Sequence, residues 1–137
     1  MITDRGFWKG RDVQFAKDLT ATIRANAALA IRAVNELLED FYNARPNAAG
    51  RDATSGWRPL AVNSTTAGAS ATSLHMRALA IDVEDDDEEL DTWLMTEPGQ
   101  RALVAHGLWM EHPGATPRWC HLQLKSPGSG RRVFYPR

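Results

Sequence analysis

The chain has 137 residues, 43% hydrophobic and 24% charged, which suits one domain (residues 1–137) able to bury a core unaided by disulfides. Lys and Arg number 16 against 17 Asp and Glu, a formal net charge of −1, so no basic field for nucleic acid and no polybasic membrane anchor is expected. The single cysteine, Cys120, excludes an intrachain disulfide and any multi-thiolate zinc site.

Residues 1–10 carry charges and a tryptophan where a signal peptide needs an apolar core, and no stretch is apolar for long enough to span a membrane. The expectation is a monomer made in the cytoplasm, with another route to any target outside it. Residues 11–42 form a helical scaffold. Phe15, Leu19, Ile23, Ala27, Ala30, Val34, Leu37, Leu38 and Phe41 recur at steps of three and four and draw one apolar stripe. It reads as one helix or as two joined near residues 25–28, with Asp12 as a cap or first-turn acid. Residues 43–54, with Pro46 and Gly50, read as a loop, and residues 59–73, rich in Ala, Ser and Thr, as irregular.

Residues 78–83 read as a strand with Leu79, Ile81 and Val83 on one face and Ala78, Ala80 and Asp82 on the other. The acidic run 84–89 lacks the spacing of a calcium loop and reads as a helix N-terminus, continued by Leu90, Trp93 and Leu94. Residues 98–106 form a second short helix ended by Gly107, with His106 placed to meet that helix's dipole. Strands at 108–111 and 119–125 flank a loop with Pro113, Gly114 and Pro117, and residues 131–135 add an edge strand. The class is α+β: a small, mainly antiparallel sheet flanked by helices.

Chemistry concentrates in residues 55–125. A His and an Asp seven apart, His75 and Asp82, carry little information alone. His121 strengthens them, because Trp119, His121 and Gln123 share one strand face while Cys120, Leu122 and Leu124 share the other. The second face belongs to the core, which makes Cys120 a packing residue. The first resembles a cleft wall. Two imidazoles and a carboxylate form a zinc set that leaves one position open, the catalytic pattern.

Ser73-Leu74-His75-Met76-Arg77-Ala78-Leu79-Ala80-Ile81-Asp82 resembles the Ser-x-His-x-x-Gly-x-Ala-x-Asp motif of D-Ala-D-Ala carboxypeptidase-type zinc peptidases, a group that includes lysostaphin-like enzymes and the hedgehog domain. Trp119-Cys120-His121 resembles their closing Trp-x-His element, and Ser55-Gly56-Trp57-Arg58 their upstream Ser-Gly-Tyr-Arg segment. The three stand in the family's order over about half of the chain. The resemblance implies a hedgehog/D-Ala-D-Ala peptidase-like fold, Zn2+ on His75, Asp82 and His121, and hydrolysis of an amide bond in peptidoglycan stem peptides. Such carboxypeptidases and endopeptidases, in their compact form without a signal peptide, resemble bacteriophage endolysins that act at the periplasm or cell wall. Arg58 would bind a substrate carboxylate or the developing oxyanion, with Ser73, Trp57 and Trp119 beside the substrate; for both tryptophans a core role stays open.

Ala78 replaces the motif's usual Gly, a change a strand tolerates. Relatives carry an acid three residues before the last ligand, or a histidine two before; here those positions are Arg118 and Trp119. Glu111 is the base candidate, placed opposite Trp119 if the two strands pair, with a solvated loop acid as its plain alternative and His112 as the fallback base. The missing acid also leaves open a zinc-binding phage structural or binding module without catalysis.

Overall fold

The computed structural model describes residues 1–70 and 72–136. Thr3 opens α1 (Asp4–Trp8) by accepting the Gly6 N–H at 3.0 Å, and the helix buries Phe7. After α2 (Arg11–Gln14), Phe15 leaves helical geometry, and a short 3-10 turn covers Ala16–Asp18. Thr20 then caps α3 (Ala21–Ala44) through the Ile23 N–H. The apolar stripe therefore breaks at residues 15–20, not at 25–28. Phe15 and Leu19 still pack on the core from outside a helix, which is why the spacing runs through the break. Asp12 lies in the first turn of α2, behind a Gly10 cap.

The α3 stripe buries Ala27, Ala30, Val34, Leu37, Leu38 and Phe41. It covers one face of a five-stranded sheet made of β1 (Ala53–Ser55), β2 (Ala80–Glu84), β3 (Trp109–Glu111), β4 (Trp119–Gln123) and β5 (Val133–Phe134). Their order is β1-β2-β4-β3-β5, and every pairing is antiparallel except β3 with β5. β1 lies in a segment expected to be loop; three residues are too few to display an alternation. The stretch 59–73 holds one short helix, α4 (Leu60–Asn63), among turns, and its residue 71 lies outside the described residues. The core face of the sheet carries Ile81, Val83, Met110, Cys120 and Leu122, all buried, and α5 (Glu89–Leu94) and α6 (Glu97–Ala105) close it with Leu90, Trp93, Leu94 and Leu103. No helix of the described residues is long and apolar enough to cross a membrane.

His106 is the C-cap residue of α6, yet its imidazole reaches across to α3, with Nε2 2.7 Å from Asp40 Oδ2 and Nδ1 3.5 Å from Glu36 Oε2. It ties two helices together more than it serves one helix's dipole. In the acidic run, Asp85 accepts the Leu90 and Asp91 N–H groups at 3.0 and 2.9 Å, so the run does start a helix. The same carboxylate is buried against Arg51 Nη2 at 2.9 Å, and the Arg51 guanidinium also lies over the Phe41 ring. Loop, helix start and α3 thereby share one buried ion pair.

Truncating one partner leaves the other charged and buried, so Arg51→Ala or Asp85→Ala is expected to lower unfolding stability by about 3–5 kcal/mol in urea titrations. Asp91 sets a separate pH dependence. Burial pushes its carboxyl up to about 7, partly opposed by the Cys120 thiol and reinforced by Asp85 and Glu88. Between about pH 4, where the unfolded chain loses this proton, and about pH 7, the folded state holds more protons, so stability falls as pH rises through that window. Asp91→Asn is expected to remove that decline, and its advantage over wild type should grow from pH 5 to pH 8 in parallel thermal melts.

Candidate metal centre

Ser73 caps the 3-10 turn Leu74–Arg77 by accepting the His75 N–H at 3.2 Å, which places His75 inward and 2% exposed. The turn ends at Ala78 with φ of +57°, fully buried. Ala78 therefore stands in a left-handed position before β2, not in the strand, and a side chain there costs roughly 1 kcal/mol relative to glycine. This is a physical reason for glycine at that place in the motif.

The chain then enters β2, and alternation turns Asp82 away from the core-facing Ile81 and Val83. β2 pairs with β4 so that Asp82 lies directly opposite His121. His75 Nε2 comes within 3.3 Å of Asp82 Oδ2, and His121 Nδ1 within 2.8 Å of Asp82 Oδ1. Ligand atoms of all three lie within 4.8 Å of one another.

The outer nitrogens decide what the inner ones offer. His75 Nδ1 lies 2.8 Å from the Gly56 carbonyl oxygen, which can only accept, so Nδ1 carries the proton. Gly56 can present that carbonyl because it presses against Phe7; a Cβ there would fall 2.4 Å from the Phe7 ring. His121 Nε2 lies 2.9 Å from Gln123 Oε1, and the Gln123 amide nitrogen donates to the Lys125 carbonyl at 2.7 Å. With the outer nitrogens protonated, the inner nitrogens of both imidazoles face the Asp82 carboxylate, where a proton or a metal ion can sit between them. The donor set, two imidazole nitrogens and a carboxylate oxygen, could hold a metal ion.

The charges follow the same logic. Burial works against the Asp82 carboxylate, but His75 and His121 outweigh it and hold its pKa far below the ordinary range. Burial also opposes charge on His121, and Asp82 overcomes it, so the His121 pKa rises. Glu111 is pushed up by burial and by Asp82 against the pull of His121.

The centre opens into a cleft of about 270 Å3, lined also by Arg58, Ser73, Glu111, Trp119, Gln123, the segment 67–70 and Pro136. Glu111 Oε1 lies 3.9 Å from His121 Nε2. The register Trp109 to Gln123 and Met110 to Leu122 brings Glu111 opposite His121, two residues from the expected Trp119; the connection spends residues in a 3-10 turn at Pro113–Ala115 and a left-handed Arg118. Arg58 donates to Ser73 Oγ at 3.3 Å, while its buried Nε has no partner among the described residues. Ser73 lines the cleft, though its oxygen is engaged by Arg58 and His75.

Trp57 departs from the expected substrate wall. It is 1% exposed, its indole N–H donates to the Met76 carbonyl, and Trp8 packs on its ring. Trp119 alone of that pair lines the cleft. His112 stacks on Tyr135 and accepts the Gly114 N–H, and it is not among the residues that line the cleft. Arg118 points outward to Asp86. Sequence reasoning missed the roles of the Gly56 carbonyl and Gln123; for Gln123 the signal was its place two residues beyond His121 on one face.

No family model matches the chain, and neither a curated protein nor a solved structure matches it.

A metal ion that binds only the folded state stabilises it by mass action, by about 2.7 kcal/mol at a hundredfold excess over the dissociation constant. Adding zinc to metal-stripped wild type is therefore expected to raise the melting temperature. His75→Ala and His121→Ala should show no such rise in the same scan.

Proposed function

We propose that the protein is a zinc-dependent peptidase that hydrolyses an amide bond in peptidoglycan stem peptides. One observation carries the reading: the inner nitrogens of His75 and His121 converge on Asp82 at the floor of a cleft that also holds a carboxylate, Glu111, and a guanidinium, Arg58, whose Nε–H has no partner among the described residues. The ordered resemblance of residues 55–58, 73–82 and 119–121 to D-Ala-D-Ala carboxypeptidase-type peptidases adds the substrate class. An α+β chain with helices against a mainly antiparallel sheet is compatible with the hedgehog/peptidase-like arrangement of that group.

His75, Asp82 and His121 would hold the zinc. When bound, zinc supplies Lewis acidity at a substrate carbonyl. Glu111, whose proton affinity burial raises, takes a proton from the attacking water and delivers it to the departing amine nitrogen. Arg58 offers its Nε–H, without a partner among the described residues, to a substrate carboxylate or to the oxyanion that develops at the carbonyl. Ser73 holds the guanidinium in place, and Trp119 supplies an apolar wall for the peptide. The substrate places the site of action at the bacterial wall, as in lysis enzymes.

Mass spectrometry of peptidoglycan digested with the zinc-loaded protein tests this. Wild type is expected to release peptide fragments. Glu111→Ala should be slower by about 10²–10⁴-fold, and Arg58→Ala by about 10²–10³-fold. If zinc-loaded wild type releases nothing, a zinc-binding module without catalysis replaces the peptidase. If Glu111→Ala cleaves at the wild-type rate, the base lies elsewhere.

A further inference from the structure

We infer that Gln123 is the positioning residue that makes His121 a metal ligand, and that its being an amide sets how strongly His121 binds. The inference rests on the zinc site proposed above and assigns a role to a residue outside the ligand set.

The Lys125 carbonyl can only accept, so the Gln123 group 2.7 Å from it is the amide nitrogen. That fixes the amide's orientation and leaves Oε1, an acceptor, facing His121 Nε2 at 2.9 Å. Nε2 then carries a proton, which leaves Nδ1, beside Asp82, as the nitrogen that can give its lone pair to a metal ion. Reversing the amide would set two donors and two acceptors against each other in a side chain only 7% exposed. Strand geometry makes the contact possible, because residues two apart on β4 share a face.

His75 receives the matching support from a backbone carbonyl, Gly56, which no side-chain substitution replaces directly. His121 depends on a side chain, so this half of the site is open to test. Glu111 does not compete for the proton, since its oxygen is 3.9 Å away, outside hydrogen-bond reach. With the imidazole proton committed to Gln123, Glu111 stays available to the cleft. The neutral amide also matters. A carboxylate at position 123 would draw the Nε2 proton more strongly and make Nδ1 a more basic ligand.

The test is zinc affinity by competition with a chromophoric chelator, beside two-bond nitrogen–proton correlation spectra of histidine-labelled, zinc-loaded protein. Wild type is expected to show His121 protonated at Nε2 and free of a proton at Nδ1. Gln123→Ala should bind zinc about 10–100-fold more weakly and lose the fixed Nε2 proton signal. Gln123→Glu keeps an acceptor for Nε2 but loses the donor to the Lys125 carbonyl, so it should regain the Nε2 proton signal and bind zinc more tightly than Gln123→Ala. Should Gln123→Ala fail to fold, Gln123→Met, close to the same volume and without an acceptor amide, carries the same expectation. Unchanged affinity and an unchanged tautomer in a folded Ala or Met variant would overturn the inference alone. A wild-type protein that takes up no zinc overturns the zinc site and this role with it.

Discussion

The pairing of β2 with β4 sets Asp82 directly across from His121, and the cleft's chemistry depends on that register. A slip of one residue would send Asp82 or His121 into the core and bring Val83 or Cys120 to the cleft. The register is held from the opposite face, where Ile81, Val83, Cys120 and Leu122 are buried beneath α3 and α5. Burial of those side chains leaves the polar residues no alternative side. The same alternation that builds the core therefore builds the His75–Asp82–His121 group, which could hold a metal ion.

The centre gathers a carboxylate and two imidazoles at one point of the cleft. Burial opposes the Asp82 charge, and His75 and His121 outweigh it, so the three groups depend on one another's positions. A rigid surround keeps them there. The Arg58 N–H bonds the His75 carbonyl at 3.0 Å, tying the cleft's guanidinium segment to the ligand turn. Gly56, pressed on Phe7, fixes one imidazole; Gln123, anchored on Lys125, fixes the other. A supporting layer this specific suits precise ligand geometry better than general packing does.

The sequence disclosed what depends on period and left hidden what depends on the path of the chain. Trp119, His121 and Gln123 against Cys120 and Leu122 could be read because a strand alternates with period two. The α3 stripe could be read because Ala27 to Phe41 keep helical spacing, yet the break at residues 15–20 was masked by Phe15 and Leu19, which remain in the core. Thr20 was the available sign, as a side chain able to cap. The position of Glu111 was missed by two residues because a 3-10 turn and a left-handed Arg118 consume length that a plain hairpin would not. The Gly56 carbonyl and the buried Arg51–Asp85 pair had no local signature, since each joins segments far apart in the chain. Ala78 was read as a strand residue because a positive φ leaves no trace in an alanine.

The central claim is that His75, Asp82 and His121 bind one metal ion and leave a position open. Anomalous diffraction at the zinc edge from zinc-loaded crystals tests it most directly. The expected map has one peak per chain, about 2.0–2.2 Å from His75 Nε2, an Asp82 oxygen and His121 Nδ1, with no fourth protein ligand. A well-ordered chain with no peak among these three side chains, or with a fourth side chain closing the site, would contradict it.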